Sequence, residues 1–408
     1  NPGSQPELTA AVREAVDDLI AQTVSEAGIS GADILEAVIV GNPIMHHFFL
    51  GIDPIELGGA PFALTLSSAM TQPARDVISS LPSSARIHTL PCIAGHVGAD
   101  AAAVTLSERP YESEQTILLV DIGTNAEIIL GNKDQVLAAS SPTGPAFEGA
   151  EISCGQRAAP GAIERVRINP ETYEAKFKLI GADVWSNEAG FAEQADRTGI
   201  TGICGSGIVE AIAELYLSGL LSVDGVITPP KGGAGDHLVA AGRTYSYMLY
   251  RGQIEISISQ KDVRAIQLAK AALYAGVRLL MDKLGVDEVA QVRLAGAFGS
   301  YIDPKYAMVL GLIPDCNLKK VSGVGNAAST GARMALLNCR YREEIQQQVR
   351  KLDKVETAME ARFQEHFVNA MAFPNKVEPF KRLREQVMLP APLADPKPTR
   401  RRRKRNSD

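Results

Sequence analysis

Three glycine turns hold the residues of this chain best suited to chemistry. The first is Asp121-Ile122-Gly123-Thr124-Asn125, with Glu127 just beyond it. The second is Gly205-Ser206-Gly207 and the third is Gly296-Ala297-Phe298-Gly299. Glycine exposes backbone N–H groups without side-chain obstruction, and a helix N-terminus adds the positive end of a dipole. Both features suit phosphate. A carboxylate at a strand end cannot help an anion directly, but it can hold Mg²⁺ through water, and the metal then bridges phosphates. On that chemistry Asp121 is the candidate metal ligand and catalytic carboxylate. Thr124 and Asn125 are candidate donors to phosphate oxygens. Glu127 is a candidate for ordering a water or the metal shell.

A glycine turn alone is more often structural than ligand-binding, and no G-x-x-x-x-G-K-[ST] loop occurs. The signal lies in the order. An acid-bearing hairpin comes first, then a glycine-started helix, then a strand and a glycine turn ahead of a small-residue helix. Between the first two turns runs the loop GPAFEGAEISCG, Gly144–Gly155. Glu148 in it is a second candidate for ordering water, and Arg157 just after it is a candidate contact for phosphate or an acidic partner. Cys154 has nothing basic immediately beside it, so it reads as a packed thiol and not a reactive one.

The elements that must position these turns follow from periodicity. Leu8, Val12, Ala15, Leu19 and Ile20 predict an amphipathic helix over 7–27, stopped by Gly28. LEAVIVGNP reads as a short buried strand and turn, and IMHHFFLG as a helix. The adjacent His46 and His47 point apart on a helix, so they suit packing or the surface better than a metal. Residues 53–88 are rich in Pro, Gly and Ser and read as loop. IAGHVGADAAAVTLSE reads as a small-residue helix. Ile117–Val120, Ala126–Leu130 and Val136–Ser141 predict an antiparallel meander. ERVRI and AKFKLIG add strands, and a helix starts near Ile208. GQIEISIS is a strand, and Ser259 is the predicted N-cap of a long helix. QVRLAGAFGSYID is a strand and turn, and helices span about 342–367.

Composition bounds the class. The 408 residues are 45% apolar and 22% charged, as in globular chains. No apolar run is long enough to span a membrane. The six consecutive cations Arg400–Arg405, removed from a net charge of −6, leave −12. An acidic body argues against nucleic acid. The basic end follows a Pro-rich stretch and reads as a solvated tail. No two of the five cysteines are closer than 23 residues and there is no C-x-x-C, which points to a reducing cytoplasm and against zinc or iron–sulfur ligation.

The order of the turns resembles the actin, sugar-kinase and heat-shock ATPase superfamily. DIGTNAE is similar to its phosphate loop and VRLAGAFGS to its adenosine motif. That resemblance implies an α/β fold of actin-like ATPase, ribonuclease-H-like lobes, with mixed sheets and flanking helices. It also implies ATP and Mg²⁺ as cofactors. SQKDVRAIQLAKAAL sits where the heat-shock ATPases line the ribose and base, which makes Lys261, Arg264 and Gln267 candidates near the nucleotide.

A closer resemblance covers about residues 8–372. VGNPIMHHFFLGIDP, LPCIAGHVGAD, DIGTNAEIILGN, GPAFEGAEISCGQRAAPGAI, GICGSGIVEAIAELY, QKDVRAIQLAKAAL, LAGAFGSYIDP, GLIPD and VGNAASTGARMALL, in that order, resemble the reductive activators of corrinoid proteins. The resemblance implies ATP-dependent return of a cob(II) cofactor to cob(I) on a methyl-transferring corrinoid protein. It implies electrons entering through a [2Fe–2S] ferredoxin module whose cysteines are not in this sequence, and so expected on a segment upstream. A second phosphate loop is expected there too. The implied partners are the corrinoid protein and that electron donor, with no nucleic acid and no membrane; a homodimer is one option. The expected layout is a partial first lobe at 1–112, a second lobe at 113–375 and a tail at 376–408. Two other readings share the superfamily: a small-molecule kinase and a non-catalytic nucleotide-binding scaffold.

Overall fold

The computed structural model describes residues 3–299 and 301–390. Helix α1, Gln5–Ala27, ends where Gly28 turns left-handed (φ 65°). Strand β1, Glu36–Ile39, leads to α2, Pro43–Leu50, whose N-cap Asn42 accepts a bond from the Met45 N–H. Both histidines of α2 are buried, and burial pushes His46 down to about 4. Residues 53–88 are not all loop: β2, Met70–Pro73, and β3, Arg86–Thr89, pair with β1 in the order β1-β3-β2. Four-residue strands are too short for alternation to show in sequence. Helix α3, Ala99–Glu108, closes this region.

The six-stranded central sheet holds the site. Strands β4 (Ile117–Ile122), β5 (Ala126–Gly131) and β6 (Val136–Ser141) form the expected antiparallel meander. Alternation divides their side chains between two cores. Leu118, Val120, Ile128 and Leu130 face one, and Ile117, Leu119, Ile129 and Ala138 face the other.

The chain then leaves the sheet. Strands β7 (Ala162–Ile168), β8 (Ala175–Leu179) and β9 (Gly202–Ile203) make a small sheet in the order β8-β7-β9. Helix α4, Phe191–Thr198, lies between β8 and β9 in sequence, and α5, Gly205–Leu217, follows. On α5, Glu210 accepts the Val166 N–H and Glu214 the Ile168 N–H, so two carboxylates finish the edge of β7 where pairing to β9 has stopped. Strands β10 (Leu238–Ala241), β11 (Thr244–Arg251) and β12 (Glu255–Ile258) form a third small sheet.

Helix α6, Gln260–Leu284, carries the expected N-cap at Ser259, completed into a capping box by Asp262. It packs on β5 and β6. The chain re-enters the central sheet at β13, Gln291–Ala295, parallel to β4. The short α7 (Gly296–Gly299) and α8 (Pro304–Leu310) lead to β14, Val321–Gly325, parallel to β13. Helix α9, Ala327–Leu337, crosses α3 closely: a Cβ on Gly331 would stand 2.0 Å from the Ala103 carbonyl oxygen. After α10, Cys339–Lys351, a three-residue strand unseen in the sequence, β15 (Asp353–Val355), adds beside β6. The sheet order is therefore β14-β13-β4-β5-β6-β15, the mixed sheet with flanking helices expected of an actin-like lobe.

Helix α11, Ala361–Ala370, lies on α6, where Asp282 receives Arg362 and His366. The segment after 375 is not wholly a tail. Tyr274 donates to the Glu378 carboxylate, Asp315 accepts the Arg382 and Leu383 N–H groups, and α12, Lys381–Gln386, buries Leu383 beside Phe380. Phe380, Leu383 and Val387 do recur at helical spacing, but over a single short turn flanked by Pro-rich sequence the signal is weak. The Arg400–Arg405 run lies outside the described residues.

Candidate functional site

Two of the three glycine turns follow parallel neighbours in the central sheet. Asp121, one residue before the end of β4, stands directly beside Ala295, after which Gly296 turns at φ +86°. A Cβ on Gly296 would lie 2.5 Å from an Asp121 carboxylate oxygen, so only glycine lets β13 turn against that acid. The remaining turn, Gly205-Ser206-Gly207 at the start of α5, faces them across a cleft of about 710 Å³. Asp121, Gly123, Glu148, Gly205, Ser206, Gly296 and Phe298 all line this cleft. Among the remaining candidates, Gly207 instead lets α5 sit on β7, where a Cβ would meet the Ile163 carbonyl at 2.2 Å, and Gly299 packs against Leu294. Ala297 belongs to the backbone of the short α7 turn.

The loop after β4 is held from below. Thr143 donates to the carbonyls of Gly123 and Thr124, and the Gly123 N–H reaches the Asn125 carbonyl. Thr124 donates to the Glu148 carboxylate at 2.6 Å, which ties the β4–β5 turn to the Gly144–Gly155 loop. Phe147 and Phe298 stack at 5.5 Å with their rings 16° apart. Gly205 packs so tightly there that a Cβ would be 1.8 Å from the Phe147 carbonyl oxygen. Helix α5 thus presents its N-terminus to the cleft with no side-chain cap on its first N–H groups. That is an arrangement suited to an anion. Arg157 lines the same cleft.

Acid is concentrated beside this anion site. Glu127 stands directly opposite Asp121 in the β4–β5 register. Burial first, then Asp100 on α3, pushes Asp121 up to about 6. Burial, Asp100 and Asp121, in that order, push Glu127 well above the usual carboxylate range, against a bond from Ser140. Neither is salt-bridged to a basic side chain among the described residues. An oxygen-only donor set without a counter-charge fits a hard cation such as Mg²⁺. No group of three or more acidic, His or Cys side chains is arranged to hold a metal among the described residues. An ion there would therefore take most of its ligands from phosphate and water, as Mg²⁺ commonly does.

Lys261 and Arg264 are not among the cleft's lining residues. They border a separate depression of about 580 Å³ with Glu151 and Ser153. Gln267 is buried, its amide donated to the carbonyls of Asp224 and Met371. Other residues of the site had no role assigned from sequence. Asp100 lies in the LPCIAGHVGAD stretch, in the first turn of α3, and an acid opening a small-residue helix is the one signal it gives. Glu164 lines the cleft because a β-bulge between Ile163 and Arg165 turns it there. Nothing in the sequence marks a bulge. Tyr301, exposed at 60%, completes one wall.

Residues 115–384 match the family described as the C-terminal domain of RACo, the ASKHA domain, and residues 1–112 match the RACo middle region. The chain is 36% identical over 351 residues to a corrinoid activation enzyme, RamQ, of Eubacterium limosum, covering 83% of this chain and 56% of that protein. It is 30% identical over 264 residues to a [Co(II) methylated amine-specific corrinoid protein] reductase of Methanosarcina barkeri, covering 62% and 45%. A solved structure titled reductive activator for corrinoid, iron-sulfur protein superposes with TM-score 0.79 at 31% identity, over 92% of this chain and 58% of that one. The chain thus spans about half the length of the curated relatives it matches. No helix among the described residues is long and apolar enough to cross a membrane.

Proposed function

The chain belongs to the RACo family, through its middle region and its C-terminal ASKHA domain, and from that premise we propose that it is the ATP-binding part of a reductive activator of corrinoid proteins. The reaction served is ATP-dependent return of a corrinoid methyl-transfer protein from cob(II) to cob(I). The observation that carries this reading is the convergence of three glycine turns and an uncapped helix N-terminus on one cleft beside Asp121.

ATP binds in that cleft. The N–H groups of Gly205 and Ser206 meet the phosphates, with Arg157 as counter-charge. Gly296 and Phe298 border the adenosine. Asp121, with Glu127 opposite, would hold Mg²⁺, which would supply charge neutralisation for the phosphates. Glu148, oriented by Thr124, orders the attacking water. A [2Fe–2S] ferredoxin module would supply the electron, and ATP would affect the uphill reduction through differential affinity for the corrinoid protein in its two states.

Calorimetry with ATP and Mg²⁺ tests the binding step. The intact chain is expected to bind, and Asp121→Ala to lose the Mg²⁺-dependent part. Glu148→Gln is expected to keep binding while turnover stimulated by a cob(II) corrinoid protein falls about a hundredfold. Normal turnover in Asp121→Ala would sink the assignment, and stimulation by a sugar in place of the corrinoid protein would make the chain a kinase.

A further inference from the structure

We propose that the outer face of the β7–β8 hairpin is a docking surface for an acidic segment of a partner protein. The register sets Arg165 opposite Lys178 and Arg167 opposite Lys176. All four cations therefore share the face turned away from Val166 and Phe177, which are buried. Like charges directly opposite in an antiparallel pair repel. Two aromatic rings hold Arg167 and Lys176 in place. The Trp185 ring receives Arg167 at 5.5 Å and Lys176 at 5.2 Å. The Tyr306 ring receives Arg167 and Lys305, each at 4.8 Å. The result is an unbroken run of contacts: Lys176, Trp185, Arg167, Tyr306, Lys305.

Buried Glu210 accounts for two of the cations, since it bonds both Arg165 and Arg167. It does not account for the lysines. Lys176, Lys178 and Lys305 form no ion pair among the described residues. Arg167 and Lys176 border a depression of about 340 Å³, with Asn169 and Asn187 as further donors and Glu174 on its rim. That space admits carboxylate side chains. Arginine and tryptophan are also residue types that dominate protein interfaces, while buried Tyr306 supports the cations from beneath. A two-fold contact of this face with itself would set cation against cation, which disfavours a second copy as the occupant.

The hairpin also reaches the cleft. Glu164 enters it through the β-bulge, and Ile180, just past β8, is part of its wall. A partner held on the outer face therefore loads the strands that wall the cleft. This coupling rests on the function proposed above; the docking surface does not.

Trp185 is the only tryptophan in the chain, so its emission reports the site directly. The intact chain is titrated with hexaglutamate peptide. A saturable change in emission is expected, weakened by salt and weakened about tenfold in Lys178→Glu/Lys305→Glu, two lysines that do not touch Trp185. Circular dichroism checks that the variant folds. No emission change, an unchanged variant, an equal response to inorganic phosphate, or salt-sensitive self-association that the variant abolishes would each overturn the proposal. ATP affinity measured on the same samples separates the two readings. Peptide binding without ATP binding leaves the docking surface standing and removes the proposed function, and the converse result does the opposite.

Discussion

Asp121 is held in a place that disfavours its charge. Its carboxyl ordinarily titrates at 3.8 and is pushed up to about 6, by burial and then by Asp100. A raised acid binds its proton more tightly in the folded than in the unfolded chain. Its stabilising contribution is therefore full below pH 3.8 and lost as pH rises through about 6, a decline of up to about 3 kcal/mol. Denaturant unfolding across this range is expected to show that decline in the free chain and to lose it in Asp121→Asn. A divalent cation replaces the proton, so Mg²⁺-dependent nucleotide affinity is expected to climb over the same interval. Gly205 is constrained by shape instead of charge. Gly205→Ala drives a methyl to 1.8 Å from the Phe147 carbonyl and 2.6 Å from the Phe298 ring. A loss of roughly 1–3 kcal/mol is expected, read by thermal unfolding, together with weaker nucleotide binding.

At the level of elements, the N-terminus of α6 anchors the loop that carries Glu148. The buried Asp262 accepts the N–H and hydroxyl of Ser153 on one oxygen, and the N–H and hydroxyl of Ser259 on the other. Asp262→Ala removes the cap and leaves the Ser153 N–H without its carboxylate. About 2–4 kcal/mol is expected to be lost, with faster hydrogen exchange confined to the Gly144–Gly155 loop and the first turn of α6. These same elements show where sequence was readable. Ser259 with Asp262 is a local pattern, and the meander's strands stand out as short apolar runs because both of their faces bury. The glycine turns were legible because few residues tolerate such close approach. Glu164 was not, since a bulge depends on how β7 pairs with β8. Asp100 was not, since its effect on Asp121 depends on α3 meeting the end of β4. Short β2, β3 and β15 exist through pairing and carry no period of their own.

Across the whole molecule, the join near residue 112 does not separate two cores. Ala101, Ala102, Ala103 and Leu106 of α3 pack with Leu119 and Ile129 of the central sheet and with Ala335 and Ile345 of α9 and α10. Arg342 fastens the same junction through paired 2.7 Å bonds to Glu36. Residues 115–390 alone are therefore expected to expose one face of the sheet, bind a hydrophobic dye and unfold without a sharp transition, while the intact chain melts cooperatively. Gly331→Leu is expected to lower the melting temperature of both regions together, by the mechanism of an overpacked core.

The contact between Gly331 and Ala103 also sets a timetable. On the ribosome, the apolar face of α3 emerges roughly 230 residues before the helix that covers it. At ordinary rates of synthesis that interval is about ten to fifty seconds. During it the alanine-rich side of α3 that α9 will cover stays open, while its other side can already close on β4 and β5. A chaperone that shields short apolar helices, or a pause in translation, would act in that window, and the yield of native protein would depend on it more than on the final stability.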